Sequence, residues 1–152
     1  ILPTLPHWKA HLQEKTHYWP YPPIITTSSA EKGLAFYAAS AALAVSGTVT
    51  LELACARTPT VVTYRTDSVS AFLIRPLLRT PFIALPNIVM QKSVMPEFLQ
   101  EKCTPILLAN AIREILLPKR QEEIKRMLGE VREKIHSQGI TAADIVERYL
   151  GF

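Results

Sequence analysis

Cysteine and glycine are scarce in this chain, with two cysteines and five glycines in 152 residues. Cys55 and Cys103 make no disulfide framework, and nothing demands an oxidising compartment. Cys55 sits in an apolar helical run and reads as a buried free thiol. No apolar run reaches the ~18 residues needed to span a bilayer. The opening ILPTLPHWKA has neither a basic stretch nor a continuous apolar core, which excludes a signal peptide. It opens without Met on a strand-like Ile-Leu-Pro, so we expect a chain that begins mid-protein. Internal repeats and low-complexity tracts are absent. A strong charge bias is absent too, because the net charge is only +4 and the pI about 9.2. That mild excess fits phosphate, nucleic acid or a lipid surface and selects none of them. Aromatic residues are few, and they cluster in the HYWPY stretch and in scattered core-like positions. They do not interleave with Lys and Arg on one surface, which argues against a nucleic-acid-binding module.

What is present describes a globular domain with a real core: 48% hydrophobic residues against 20% charged. Twelve prolines imply many fixed turns. Residues 1–3 read as a strand. Leu5 to Lys15 reads as a helix with Leu5, Trp8 and Leu12 on one face. His17 to Pro23 is a connector, and Ile24 to Thr26 a short strand. Ser28 and Glu31 form a capping-box pattern for a helix to about Ala39. Leu43 to Val45 reads as a buried strand, Thr48 to Ala56 as a helix, and Pro59 to Tyr64 as the clearest strand. Asp67 or Ser68 caps a helix through Phe72, Ile74 and Leu78, which Pro76 kinks or restarts. Phe82 to Leu85 is expected as a strand, Pro86 to Met95 as a loop, and Pro96 as the start of a helical turn. Thr104-Pro105 opens a helix to Leu117, and Pro118 opens another that Gly139 ends. Thr141 caps a last helix to about Leu150.

Short apolar strands alternating with helices indicate an α/β fold: a Rossmann-like parallel sheet with helices on both faces. The charged, strand-free stretch 105–152 reads as a helical C-terminal tail, leaving 1–104 as a partial Rossmann-like domain. Ligands of such sheets sit beyond the carboxyl ends of the strands. Ser46-Gly47-Thr48, Tyr64-Arg65-Thr66-Asp67 and Leu85-Pro86-Asn87 fall at those ends. Gly47 allows a tight turn and close ligand approach, and unpaired N–H groups at the helix start suit a phosphate. Thr48 and Thr50 offer hydroxyls. Glu52, about one turn in, suits two vicinal hydroxyls such as those of a ribose. Spacing alone leaves a second reading open, a plain capped helix with Glu52 in solvent.

SGTVTLELACARTPTVVTYR followed by FIALPNIVMQKSVMPEFLQE resembles the C-terminal part of lipid-A-disaccharide synthases. Those enzymes show an SGT-x-TLE segment running on to P-x-VV-x-YR, then LPN and VPEFLQ, in the same order and at the same gap. The resemblance covers about residues 1–117. It implies half of a GT-B fold that binds a UDP-sugar, within an inverting glycosyltransferase of lipid A biosynthesis. Such an enzyme moves 2,3-diacylglucosamine from its UDP donor to lipid X and releases UDP, with no cofactor and no metal. It implies that Ser46, Gly47 and Thr48 face the diphosphate, that Glu52 accepts from the ribose, and that Asn87 touches nucleotide or sugar. Thr50, Arg65 and Lys92 complete the candidate set. The implied setting is the cytoplasmic side of a Gram-negative inner membrane, with peripheral contact to it. The catalytic base is expected in an N-terminal domain absent from this sequence, so this chain alone is expected to be inactive.

The chain departs from the pattern at Gln91-Lys92-Ser93, where the family commonly has Gly-Arg-Glu. Lys92 keeps a charge there without the bidentate fork of Arg. Other nucleotide-sugar enzymes, a different GT-B transferase or a UDP-N-acetylglucosamine epimerase, place a glutamate similarly, but VPEFLQ and Tyr64-Arg65 argue against them. His7 and His11 have a metal-like spacing, but no further ligand completes a site, so a solvated or half-packed pair is expected. The apolar residues 72–78, edged by Arg75 and Arg79, read either as a core helix or as one that meets a membrane. Lys119 to Lys134 reads first as a salt-bridge-laced solvated helix; with Ile124, Leu128, Val131 and Ile135 on one face, the alternative is that it packs on the absent domain or on a second subunit, as in a homodimer.

Overall fold

The computed structural model describes residues 1–66 and 81–139. The segments about Asp67 to Leu78 and Thr141 to Leu150, with the readings made of them, lie outside the described residues. The chain divides after Ala39 into two compact units.

The first unit is a small parallel pairing with two helices. Strand β1 (Leu2–Pro3) leads through a 3-10 turn (Pro6–Trp8) into helix α1 (Lys9–Thr16), and strand β2 (Ile25–Thr26) leads into helix α2 (Ser29–Ala38). The strands run parallel with Leu2 opposite Ile25 and Pro3 opposite Thr26. Ser28 caps α2 by accepting from the Glu31 N–H. The Glu31 carboxylate does not return to the cap. It accepts from the Thr26 hydroxyl and so ties α2 to the end of β2. The expected apolar face of α1 is not buried, since Leu5 and Trp8 are exposed. Pro6 starts a 3-10 turn of three residues per turn, so Leu5 and Trp8 fall out of register with Leu12.

The second unit holds the main core. Its strands are β3 (Ala42–Val45), β4 (Thr60–Tyr64) and β5 (Glu97–Leu99), all parallel, in spatial order β3-β4-β5. Val45 stands opposite Thr63, and Leu99 opposite Tyr64. Its helices are α3 (Val49–Cys55), α4 (Leu85–Met90), α5 (Pro105–Ile115) and α6 (Pro118–Gln138). Adjacent residues of a strand face opposite sides. Val61 and Val62 are both fully buried, so β4 is covered on both faces. Helix α3 makes the crossover from β3 to β4, and α6 packs on α3, α4 and α5. Leu53, Ala54, Met95, Ile115, Ile124, Leu128 and Val131 fill the core. Each large apolar side chain among them contributes about 1.5–3 kcal/mol.

Local signals set several boundaries. Thr104 accepts from the Leu107 N–H and Pro105 fills the first turn of α5. Gly139, at φ 59, ends α6 in the left-handed conformation.

Three expectations change. Phe82 to Leu85 is not a strand, because Leu85 already opens α4 with Pro86 in its first turn. Pro86 to Met95 is therefore not all loop. Pro96 starts no helix, because its carbonyl accepts from the Val62 N–H at 2.8 Å and residues 97–99 join β4 as a third strand. Pairing with β4 supplies what three residues lack in local preference. The α6 stripe also has a different role. Ile124, Leu128 and Val131 are fully buried in this unit's own core, so they are not left open for another domain or subunit.

Candidate functional site

The parallel register brings the ends of three strands to one edge of the sheet. Val45 opposite Thr63 and Leu99 opposite Tyr64 put Ser46, Arg65 and Gln100 at that edge. The chain leaves β3 as Ser46-Gly47-Thr48 and turns directly into α3.

Two hydroxyls of this turn point inward. Ser46 donates from Oγ to the Ile83 carbonyl at 2.8 Å, and its N–H donates to Thr63 O at 3.1 Å. Thr50 is fully buried, and its hydroxyl and N–H both donate to Gly47 O, at 2.7 and 3.1 Å. Thr50 therefore tightens the turn, and its hydroxyl hydrogen is not offered outward as expected. Gly47 and Thr48 remain exposed. Among the described residues the Gly47, Thr48 and Val49 N–H groups make no backbone hydrogen bond. Thr48 makes no capping bond with its side chain. Gly47 is not in the left-handed region, so the turn does not require glycine for its backbone angles. A Cβ built there meets no atom within 4 Å. The space beside Gly47 is thus open. Glu52 is exposed one turn further on, its N–H donating to Thr48 O at 3.3 Å.

The other candidates divide. Arg65 is exposed at the same edge, beyond β4. Lys92 lies in the connection that returns the chain to the start of β5, and its Nζ pairs with Glu130 at 3.1 Å. Glu130 follows Gly129, which lies against Arg57 near the start of β4, so Lys92 belongs to the opposite edge. Both partners are half-exposed, and such a pair is worth at most about 1 kcal/mol.

Asn87 is not at a strand end. It is fully buried in α4 with all its capacity engaged. Its Nδ2 donates to Met95 O and to Glu97 Oε1, each at 2.7 Å. Its Oδ1 accepts from the Val94 and Met95 N–H groups, each at 2.8 Å. An amide so saturated has nothing left for a nucleotide. The structure adds a residue that the sequence reading did not single out. The Glu97 carboxylate accepts from Ile83 N at 3.0 Å, from Ala84 N at 3.0 Å and from Asn87. It caps α4 at Ala84 from thirteen residues away. The available signal was two polar residues, Asn87 and Glu97, each with apolar neighbours on both sides.

His7 and His11 each stack beside the Trp8 ring, with centroids 5.6 Å apart. Cys55 and Cys103 are free and half-buried. The Thr63 hydroxyl lies 2.6 Å from Cys103 Sγ. Among the described residues, no helix is long and apolar enough to cross a membrane.

A parallel sheet covered by helices, with a small-residue turn into a helix at the carboxyl edge, defines a Rossmann-like α/β unit. Comparison with known proteins narrows the class. The chain belongs to the lipid-A-disaccharide synthetase family, whose model matches residues 10–146. It is similar to proteins named lipid-A-disaccharide synthase. The one from Bradyrhizobium diazoefficiens is 43% identical over 151 residues, covering 96% of this chain and 38% of that protein. Those from Rhodopseudomonas palustris and Nitrobacter hamburgensis are 40% and 42% identical over the same shares. The chain thus spans under two-fifths of the length of these relatives.

Proposed function

We propose that this chain is the nucleotide-sugar-binding part of a lipid-A-disaccharide synthase. That enzyme transfers 2,3-diacylglucosamine from UDP to lipid X in lipid A biosynthesis. The observation that carries the reading is the open turn at the carboxyl edge. There, among the described residues, the Gly47, Thr48 and Val49 N–H groups make no backbone hydrogen bond, Gly47 has open space beside it, and Glu52 lies one turn beyond. Phosphate oxygens accept from these N–H groups and from the Thr48 hydroxyl. Helix α3 has seven residues, so its dipole adds little and the N–H groups carry the binding. The Glu52 carboxylate accepts from the ribose hydroxyls. Arg65 adds positive charge at the same edge.

Holding the diphosphate favours UDP as a leaving group, because donors already in place stabilise the charge that develops on it. Asn87 and Lys92 take no part in ligand binding in this reading. A catalytic base is not assigned among these residues. The substrates are lipids, so the whole enzyme works at a membrane surface, on the cytoplasmic side of the inner membrane. Titration with UDP tests the reading through backbone amide shifts. Shifts should centre on residues 46–52 and Arg65 and leave Lys92 unmoved. Saturating UDP without movement of the Gly47 and Thr48 amides would overturn it.

A further inference from the structure

We propose that Glu97 is a positioning residue for the Ser46-Gly47-Thr48 turn and acts on it through the backbone of Ile83 and Ala84. The proposal rests on the nucleotide reading of that turn and adds to it how the turn is held. Glu97 is fixed by β5, where it stands opposite Val62. Its carboxylate takes the Ile83 N–H with both oxygens, at 3.2 and 3.0 Å, and the Ala84 N–H at 3.0 Å. The carbonyl of the same Ile83 accepts from Ser46 Oγ at 2.8 Å. Ile83 is thus fastened at its N–H by Glu97 and at its carbonyl by Ser46. Ser46 is thereby an anchor, because its hydroxyl hydrogen is already committed. The groups left for a ligand are the N–H groups that follow it. Where they point depends on where Ile83 is held.

The chemistry explains why position 97 carries an acid. Three donors converge on it: two backbone N–H groups and the Asn87 amide. A carboxylate accepts at both oxygens and donates nothing. A glutamine keeps one oxygen for Ala84, Asn87 and the longer 3.2 Å Ile83 bond, and sets its NH2 where the 3.0 Å Ile83 bond was, donor against donor. Glu97→Gln therefore weakens the hold on Ile83 and keeps the Ala84 and Asn87 bonds.

The test is made in the full-length protein that carries this sequence, with UDP as the ligand and hydrogen exchange as a ligand-free readout. The Thr50 and Leu51 N–H groups, bonded to Gly47 O and Thr48 O, report the turn. Buried Leu128 and Val131 report the rest of the fold. In Glu97→Gln, exchange at Thr50 and Leu51 should rise about tenfold while Leu128 and Val131 hold, and UDP should bind about fivefold more weakly. Ser46→Ala should do the same. Because both substitutions cut one linkage, the double variant should lose about fivefold in all, against about 25-fold if they acted independently. Unchanged exchange at Thr50 and Leu51, or losses that multiply in the double variant, would overturn the proposal. If Glu97→Gln also loses protection at Leu128 and Val131, Ser46→Ala decides alone by the same two amides. Failure of the unsubstituted protein to bind UDP overturns the nucleotide reading, and exchange then judges the coupling without a ligand.

Discussion

The Ser46-Gly47-Thr48 turn after β3 and the Leu85-Pro86-Asn87 start of α4 both read from the sequence as strand-end ligand sites, and the structure uses their polar groups in opposite ways. Around α4, Asn87 is fully buried and every hydrogen-bonding position it has is filled by protein. At the turn, Gly47 and Thr48 are exposed, Gly47 has open space beside it, and among the described residues the 47–49 N–H groups make no backbone hydrogen bond. A polar group with every partner supplied internally holds the fold. A polar group without a partner, at the carboxyl edge of a parallel sheet, is available to a ligand. The difference sorts two motifs that read alike in sequence, and substitution should separate them into losses of stability and losses of affinity.

Asn87→Ala should have the largest effect. It strips partners from the Val94 and Met95 N–H groups, from Met95 O and from Glu97, all at a buried site. The expected loss is about 4 kcal/mol of unfolding free energy, measured by denaturant titration. A stable variant with weakened UDP binding would reverse the comparison and return Asn87 to the ligand. Glu52→Ala should act the other way. UDP binding should weaken by about 1.5–3 kcal/mol in calorimetry, more than the unfolding free energy falls. Unchanged UDP affinity would contradict the ribose role.

Gly47→Ala sharpens the same contrast with one methyl group. The free protein has room for it, and the backbone there needs no left-handed angle. Stability should change by no more than about 0.5 kcal/mol. The methyl stands in the space a phosphate would use, so UDP affinity should fall about tenfold, or about 1.4 kcal/mol. Full affinity in this variant would place the diphosphate elsewhere.

Legibility in the sequence followed the reach of each interaction. Ser28, Thr104-Pro105 and Gly139 act on groups within three residues, and they marked helix ends correctly. The stretch 82–99 was misread because its order depends on distant partners. Glu97 caps α4 from thirteen residues away, and β5 exists only as a neighbour of β4. At the site, Ser46-Gly47-Thr48 was legible as a strand-to-helix turn. The inward aim of the Ser46 hydroxyl was not, because its acceptor is 37 residues on in the chain. Lys92 was placed with the ligand by a departure from a motif, and only the path of the chain shows that it lies at the far edge. The α6 stripe was legible as an apolar face, but which surface it meets is a tertiary fact.

The smallest effect belongs to the same stretch. Gln91 ends α4 at φ 52, ψ 30, in the left-handed region where an L side chain costs about 1–2 kcal/mol. This is the position at which the resembling motif carries glycine. Two terms oppose the relief that glycine offers. Gln91 Nε2 donates to Ile88 O at 2.6 Å, a bond worth about 0.5 kcal/mol at a partly exposed site. Glycine also loses about 0.5–1 kcal/mol more conformational freedom on folding. Gln91→Gly should therefore stabilise the protein by about 0.5 kcal/mol net, a rise in melting temperature of about 1–2 °C for a domain of this size. UDP affinity should not move, because Gln91 lies with Lys92 at the far edge. A loss of stability would show that the Ile88 contact outweighs the strain. A change in UDP affinity would break the division between the two regions at the point where it is cheapest to test.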